Sequence, residues 1–116
     1  MDVQEIKTFD AFWSKGQATY LNSLNNIQVG NGYFVKMNAN GTLSVLGLSV
    51  KTPTLPLVKS GWNLIGCNYQ NSQLLINLFS ATNPVIIKDF DGFWIPNGST
   101  NSLTNFEPGK GYFLKK

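Results

Sequence analysis

The 116-residue chain has no histidine and no arginine, a single cysteine, and nine cationic residues, all lysine, against six acids. Each shortage closes off a class of function. Without histidine, the commonest general base and the commonest metal-binding imidazole are missing. Without arginine there is no planar fork to grip phosphates and base edges, and the net charge of +3 rests on scattered lysines. Nucleic acid is therefore not an expected partner. Cys67 has no second thiol to pair with, and its place after Gly66 in an apolar stretch predicts a buried, inert group. No apolar run is long enough to enter and cross a bilayer, and no signal-peptide pattern is present. Met1-Asp2-Val3 leads almost directly into a strand, which reads as a segment cut from a longer chain, with any export signal outside it.

What the chain does contain points to β structure. Hydrophobic residues make up 42%, enough for a packed interior, and aromatics 13%, with three Trp, four Tyr and eight Phe. Charged residues are only 13%, so Asn, Ser, Thr and Gln supply most of the polarity. Plentiful aromatic and β-branched residues argue against disorder. The length suits one domain, or two small halves sharing a core.

Two blocks occur twice. Ile6-Lys7-Thr8-Phe9-Asp10-Ala11-Phe12-Trp13 returns as Ile87-Lys88-Asp89-Phe90-Asp91-Gly92-Phe93-Trp94, identical at six of eight positions. Asp91-Gly92 between apolar runs predicts a hairpin with a type I′ turn, and Ala11 predicts a different turn type in the first copy. The second block, Asn22 to Lys36, aligns without gaps to Asn101 to Lys115 and matches at nine of fifteen positions. Within it, Leu24 and Ile27, like Leu103 and Phe106, are spaced to seat one tight helical turn. Gly-x-Gly then admits unusual backbone angles, and a strand follows with Tyr33 and Val35 on one face and Phe34 and Lys36 on the other. This Gly-x-Gly precedes a strand instead of opening a helix, so it is not a phosphate loop.

Between the copies, Asn40-Gly41 predicts a turn into a strand over Leu43–Leu46. Residues 51–60, with Pro53 and Pro56, read as an extended connector. Gly61-Trp62-Asn63-Leu64-Ile65-Gly66 reads as a strand with Trp62 and Leu64 facing the core. A helix is expected from Gln73 to about Ser80, capped by Asn71 or Ser72 and stopped by Asn83-Pro84.

Gly61-Trp62-Asn63-Leu64, the Trp-bearing hairpin Phe90–Trp94, and Glu107-Pro108-Gly109-Lys110-Gly111-Tyr112 together resemble a β-repeat of secreted and cell-surface multidomain proteins of bacteria and archaea. Thr42-Leu43-Ser44-Val45-Leu46-Gly47 is similar to the closing strand of that repeat, but belongs to the first copy. The resemblance covers nearly the whole chain and implies an extracellular, non-catalytic accessory module. The chain lacks a first Gly-Trp-Asn-Leu and a last closing strand, so the halves are expected to complete one another.

The expected architecture is mainly β: a small antiparallel sandwich or barrel of about eight strands. It would form one domain over residues 1–116, with pseudo-twofold halves 3–47 and 61–115 and one short helix. No nucleophile sits with a partner base, and neither cofactor nor metal is expected. Asp10 and Asp91 occupy matching hairpin positions, either as turn residues or as a carboxylate pair. Asp89 and Asp91 with carbonyl oxygens offer the alternative of a calcium site. Candidate ligand residues are Trp13, Trp94, Tyr20, Tyr69, Asp10 and Asp91. A pyranose lays its C–H face on an indole or phenol while neutral amides meet its hydroxyls at little desolvation cost. A polysaccharide or glycan is thus the expected partner, beside neighbouring domains of a larger chain. A structural or adhesion repeat without small ligand is the alternative.

Overall fold

A computed structural model describes residues 3–42 and 58–116. The expected strand over Leu43–Leu46, all but Thr42 of the Thr42–Gly47 closing element and most of the 51–60 connector lie outside the described residues.

The first copy forms a three-stranded antiparallel sheet from β1 (Val3–Lys7), β2 (Phe12–Ser14) and β3 (Phe34–Met37), in the order β2-β1-β3. The second copy forms a four-stranded sheet from β4 (Trp62–Gly66), β6 (Ile86–Lys88), β7 (Phe93–Trp94) and β9 (Gly111–Lys115), in the order β4-β9-β6-β7. Between β4 and β6 lie β5 (Gln73–Leu74) and the helix α1 (Leu75–Phe79), and β5 pairs with β8 (Asn105–Phe106). Among the described residues the molecule is mainly β with one short α-helix. Among the described residues the sheets stay open, so they do not form the barrel that was one of the expected outcomes.

Matching sequence produces matching pairing. Ile6 faces Trp13 and Val35, as Ile87 faces Trp94 and Leu114. The amides of Ser23 and Leu24 donate to the Phe12 carbonyl, and those of Ser102 and Leu103 to the Phe93 carbonyl. The Tyr33 hydroxyl accepts from the Gln28 amide at 2.8 Å, and the Tyr112 hydroxyl from the Glu107 amide at 2.9 Å.

The hairpin turns are closed differently from the sequence expectation. Neither Asp91 nor Gly92 has positive φ, so the turn is not type I′. Instead Asp89 Oδ1 accepts from the amides of Asp91 and Gly92, and Thr8 Oγ1 accepts from those of Asp10 and Ala11. A side-chain acceptor at the first turn position does the work assigned to Asp-Gly, which is why alanine fits the first copy.

The helix is also shorter than expected. Gln73 and Leu74 are extended and paired with Phe106 and Asn105, and Leu74 precedes the helix without a side-chain cap. The Thr104 carbonyl takes the Leu75 amide at 3.0 Å, so a neighbouring strand satisfies the helix start. For the same reason Leu103–Phe106 is no helical turn: its end is a strand. Residues 22–28, the counterpart segment, are likewise not helical.

Among the described residues the eight buried hydrophobic side chains all belong to the second copy and the segment leading into it: Ile65, Leu75, Phe79, Ile87, Trp94, Phe106, Tyr112 and Leu114. Trp62 departs from its expected core position, with 44% of its surface exposed. Register explains the exchange. Ile65 lies opposite Tyr112 and Asn63 opposite Leu114, both facing inward, whereas Trp62 and Leu64 share the outer face with Lys115 and Phe113. The inward Asn63 is satisfied: its amide nitrogen donates to the carbonyls of Lys59, Gly61 and Leu114, and its oxygen accepts from the Lys59 amide.

Burial pushes the Tyr112 hydroxyl above its ordinary pKa of 10.0 and the Cys67 thiol above 9.0. In both cases the unfolded chain gives up its proton first, so this stabilisation is complete below the unfolded value and is lost as pH rises. The urea midpoint should hold at neutral pH and fall between about pH 9 and pH 11, and Tyr112→Phe should flatten the upper part of that fall. A midpoint that rises over this interval would contradict the assignment.

Candidate functional site

Alternation places one aromatic set on the solvent side of the strands. Phe34 on β3 and Phe113 on β9 occupy matching outward positions, and Phe9 and Phe90 stand at the matching hairpin corners. Their rings form one patch, with centroid separations of 5.9 Å for Phe9–Phe34, 5.7 Å for Phe34–Phe113, 6.2 Å for Phe9–Phe113 and 5.7 Å for Phe90–Phe113. Phe113 therefore touches rings from both copies.

Trp62 joins this surface from β4. Phe9, Trp62, Lys88, Asp89, Phe90 and Phe113 line an open trough of about 820 Å³. Phe90 is 85% exposed, an extreme value for so apolar a ring. Lys88 Nζ lies 4.9 Å and Lys115 Nζ 5.8 Å from the Trp62 ring centroid. Both lysines thus hold positive charge beside the indole.

A second groove, of about 530 Å³, runs between the two Gly-x-Gly turns. Tyr33, Tyr69, Gln28, Asn31, Asn68 and Gln70 are among its lining residues, with Lys110 at the opposite turn. Lys110 pairs with Glu107 at 2.6 Å, and that partner raises the ammonium pKa.

The six residues picked from sequence are dispersed. Trp94 is a correction: it is only 6% exposed, packed in the core with Ile87 and Phe106, and presents no face to a ligand. Its counterpart Trp13 is half-buried and lines a separate apolar groove with Ile6, Leu24 and Ile27. Tyr69 borders the amide-lined groove. Tyr20 sits exposed in a single 3₁₀ turn, Thr19–Leu21, and does not line the trough. Asp10 lines a groove with Thr8, Lys59 and Trp62, and Asp91 another with Tyr33, Phe34 and Lys110. They flank the aromatic patch without sharing a groove, so no joint carboxylate site follows. Asp89 spends one oxygen on its own turn, and among the described residues no three acidic or thiol groups gather to hold a metal ion.

No family model, curated protein or solved structure matches this chain. The site must be read from its own geometry.

Sequence reasoning missed Phe9, Phe34, Trp62, Phe90 and Phe113. A signal existed: Phe34 and Phe113 alternate away from Tyr33 and Tyr112 in both copies. Aromatics repeated at outward positions mark a surface, whereas the duplicated Trp belongs to the inward row.

Proposed function

We propose that this chain is a non-catalytic binding module that takes carbohydrate on the aromatic trough. The observation that carries the reading is the trough itself: Trp62, Phe9 and Phe90 expose ring surface around Phe113. A pyranose stacks its C–H face on such rings, and each desolvated stacking contact is worth on the order of 1 kcal/mol. Lys88 and Lys115 beside the indole favour glycans that bear carboxylates. The resemblance to secreted β-repeats supports a module outside the cell, attached to a larger protein, where it would raise local substrate concentration. The two copies read as one unit duplicated about a pseudo-twofold axis into a small open sandwich. Their shared registers and hydrogen bonds support that reading.

Affinity electrophoresis through gels containing neutral or uronate-bearing polysaccharides tests the assignment. Retardation should be strongest in the uronate gels, and Trp62→Ala should reduce it tenfold or more, about 1.4 kcal/mol, with little change in melting temperature. Migration identical to an inert control protein in every gel would end the carbohydrate reading.

A second reading, a structural repeat without small ligand, is favoured by one observation. Among the described residues nothing seals the inward face of the first copy, with Ile27 66% exposed where its counterpart Phe106 is buried.

A further inference from the structure

The open face of the first copy has a filled counterpart in the same molecule. In the second copy, α1 drops Leu75 and Phe79 onto Ile87, Trp94 and Phe106, and Phe79 meets the Phe106 ring edge-on at 5.4 Å. The preceding residues Gln73 and Leu74 pair with Phe106 and Asn105, and the Leu75 amide is held by the Thr104 carbonyl. In the first copy the matching residues are Ile6, Trp13 and Ile27, with Asn25 and Asn26 in the places of Thr104 and Asn105. There they surround a groove of about 290 Å³, completed by Val3 and Leu24, that no described residue fills. Trp13 and Ile6 hold the register of Trp94 and Ile87, so the receiving surface has the right shape on one side. The covering layer is what differs.

We propose that this groove is a docking site for a strand-then-helix segment of another β-unit, with the pattern of Gln73–Phe79. Its extended residues add to the backbone of Asn26–Ile27, and its Leu and Phe, four positions apart on one helix face, enter the groove. The occupant is specified by the molecule's own second copy, where the same pattern seals the same positions. A helix this short does not form alone, so the segment must arrive attached to a folded neighbour or be held at high local concentration. The proposal does not depend on the carbohydrate reading, since the trough lies on the outward face.

The test joins an extra copy of residues 71–82 to the N-terminus of the full chain through a flexible Gly/Ser linker. Melting temperature is compared with a fusion whose extra segment carries Ser at the positions of Leu75 and Phe79. Docking should raise the melting temperature by about 4 °C or more over the Ser fusion. Ile27→Asp, at an exposed position in the host, should abolish that gain while leaving the unfused chain folded. Equal melting of the two fusions would overturn the proposal, as would a gain that survives Ile27→Asp. If the unfused chain forms dimers that Ile27→Asp dissociates, the groove is filled by a second copy, and the proposed occupant is wrong.

Discussion

Phe106→Ala should destabilise the protein by about 3–5 kcal/mol, while Ile27→Ala, at the matching position of the first copy, should cost less than about 0.5 kcal/mol. Phe106 is fully enclosed, with ring partners Phe79 at 5.4 Å and Tyr112 at 4.9 Å. Its removal takes away buried apolar surface and leaves a cavity that the strands on either side cannot collapse to fill. Ile27 is mostly in water already, so its truncation forfeits little. Against a typical domain stability of about 5–15 kcal/mol, the first change consumes a large share and the second is barely measurable. Urea denaturation of both variants checks the contrast. Similar losses at the two sites would mean that the first copy is sealed after all.

The second large effect concerns the seam between the copies. Strand β4 pairs with β9 along one edge and with the Gly30–Gly32 turn along the other. The Gly66 amide donates to the Gly30 carbonyl at 3.0 Å, and the Gly32 amide to the Leu64 carbonyl at 3.2 Å. A Cβ on Gly66 would lie 2.5 Å from the Asn31 carbonyl oxygen, and one on Gly32 2.7 Å from that of Ile65. Those oxygens are backbone and cannot swing aside as a side-chain terminus would. Gly66→Ala and Gly32→Ala should therefore each force the strands apart and cost about 2–3 kcal/mol. The two together should cost less than the sum, because either one already breaks the same pairing. Gly111→Ala is the contrasting case: its Cβ would meet nothing nearer than 3.7 Å, and its effect should stay below about 1 kcal/mol. Chemical denaturation gives the energies, and hydrogen exchange at Gly32 reports the seam directly. Unchanged exchange in Gly66→Ala would sink the account.

Several local features were legible before any coordinates. The duplicated blocks announced duplicated hairpins, and the alternation in Tyr33–Lys36 put Tyr33 and Val35 on one face and Phe34 and Lys36 on the other, though it did not say which face turns inward. The Gly-x-Gly motif was legible as a special turn, but its two glycines act differently. Gly30 and Gly109 adopt positive φ, at 86° and 80°, while Gly32 is needed for close backbone approach to β4. Other features depended on partners outside the motif, some near and some far along the chain. Asp91-Gly92 looked like a self-sufficient turn signal, yet the neighbouring Asp89 acceptor sets the turn. Gln73 and Leu74 looked helical until Asn105 and Phe106 offered them a ladder.

The candidate site shows the same division. Its residue types were visible as an excess of aromatics, but Trp62 was assigned inward and Trp94 was offered to a ligand. One shift in face separates those assignments from the folded arrangement, because strand residues alternate with a period of two. Nothing within Gly-Trp-Asn-Leu states whether Trp or Asn turns inward. That was settled by the pairing of Asn63 with Leu114, 51 residues later, and by the carbonyls that satisfy its amide.

By itself, then, the order of amino acids determined the β character and the two copies of the hairpin, since these depend on alternation and near neighbours. The tertiary structure alone decided which copy owns the interior, which tryptophan meets solvent, and where the phenylalanines of both copies converge. The physical reason is that a residue's burial depends on what covers it. Among the described residues one short helix covers one of two similar faces.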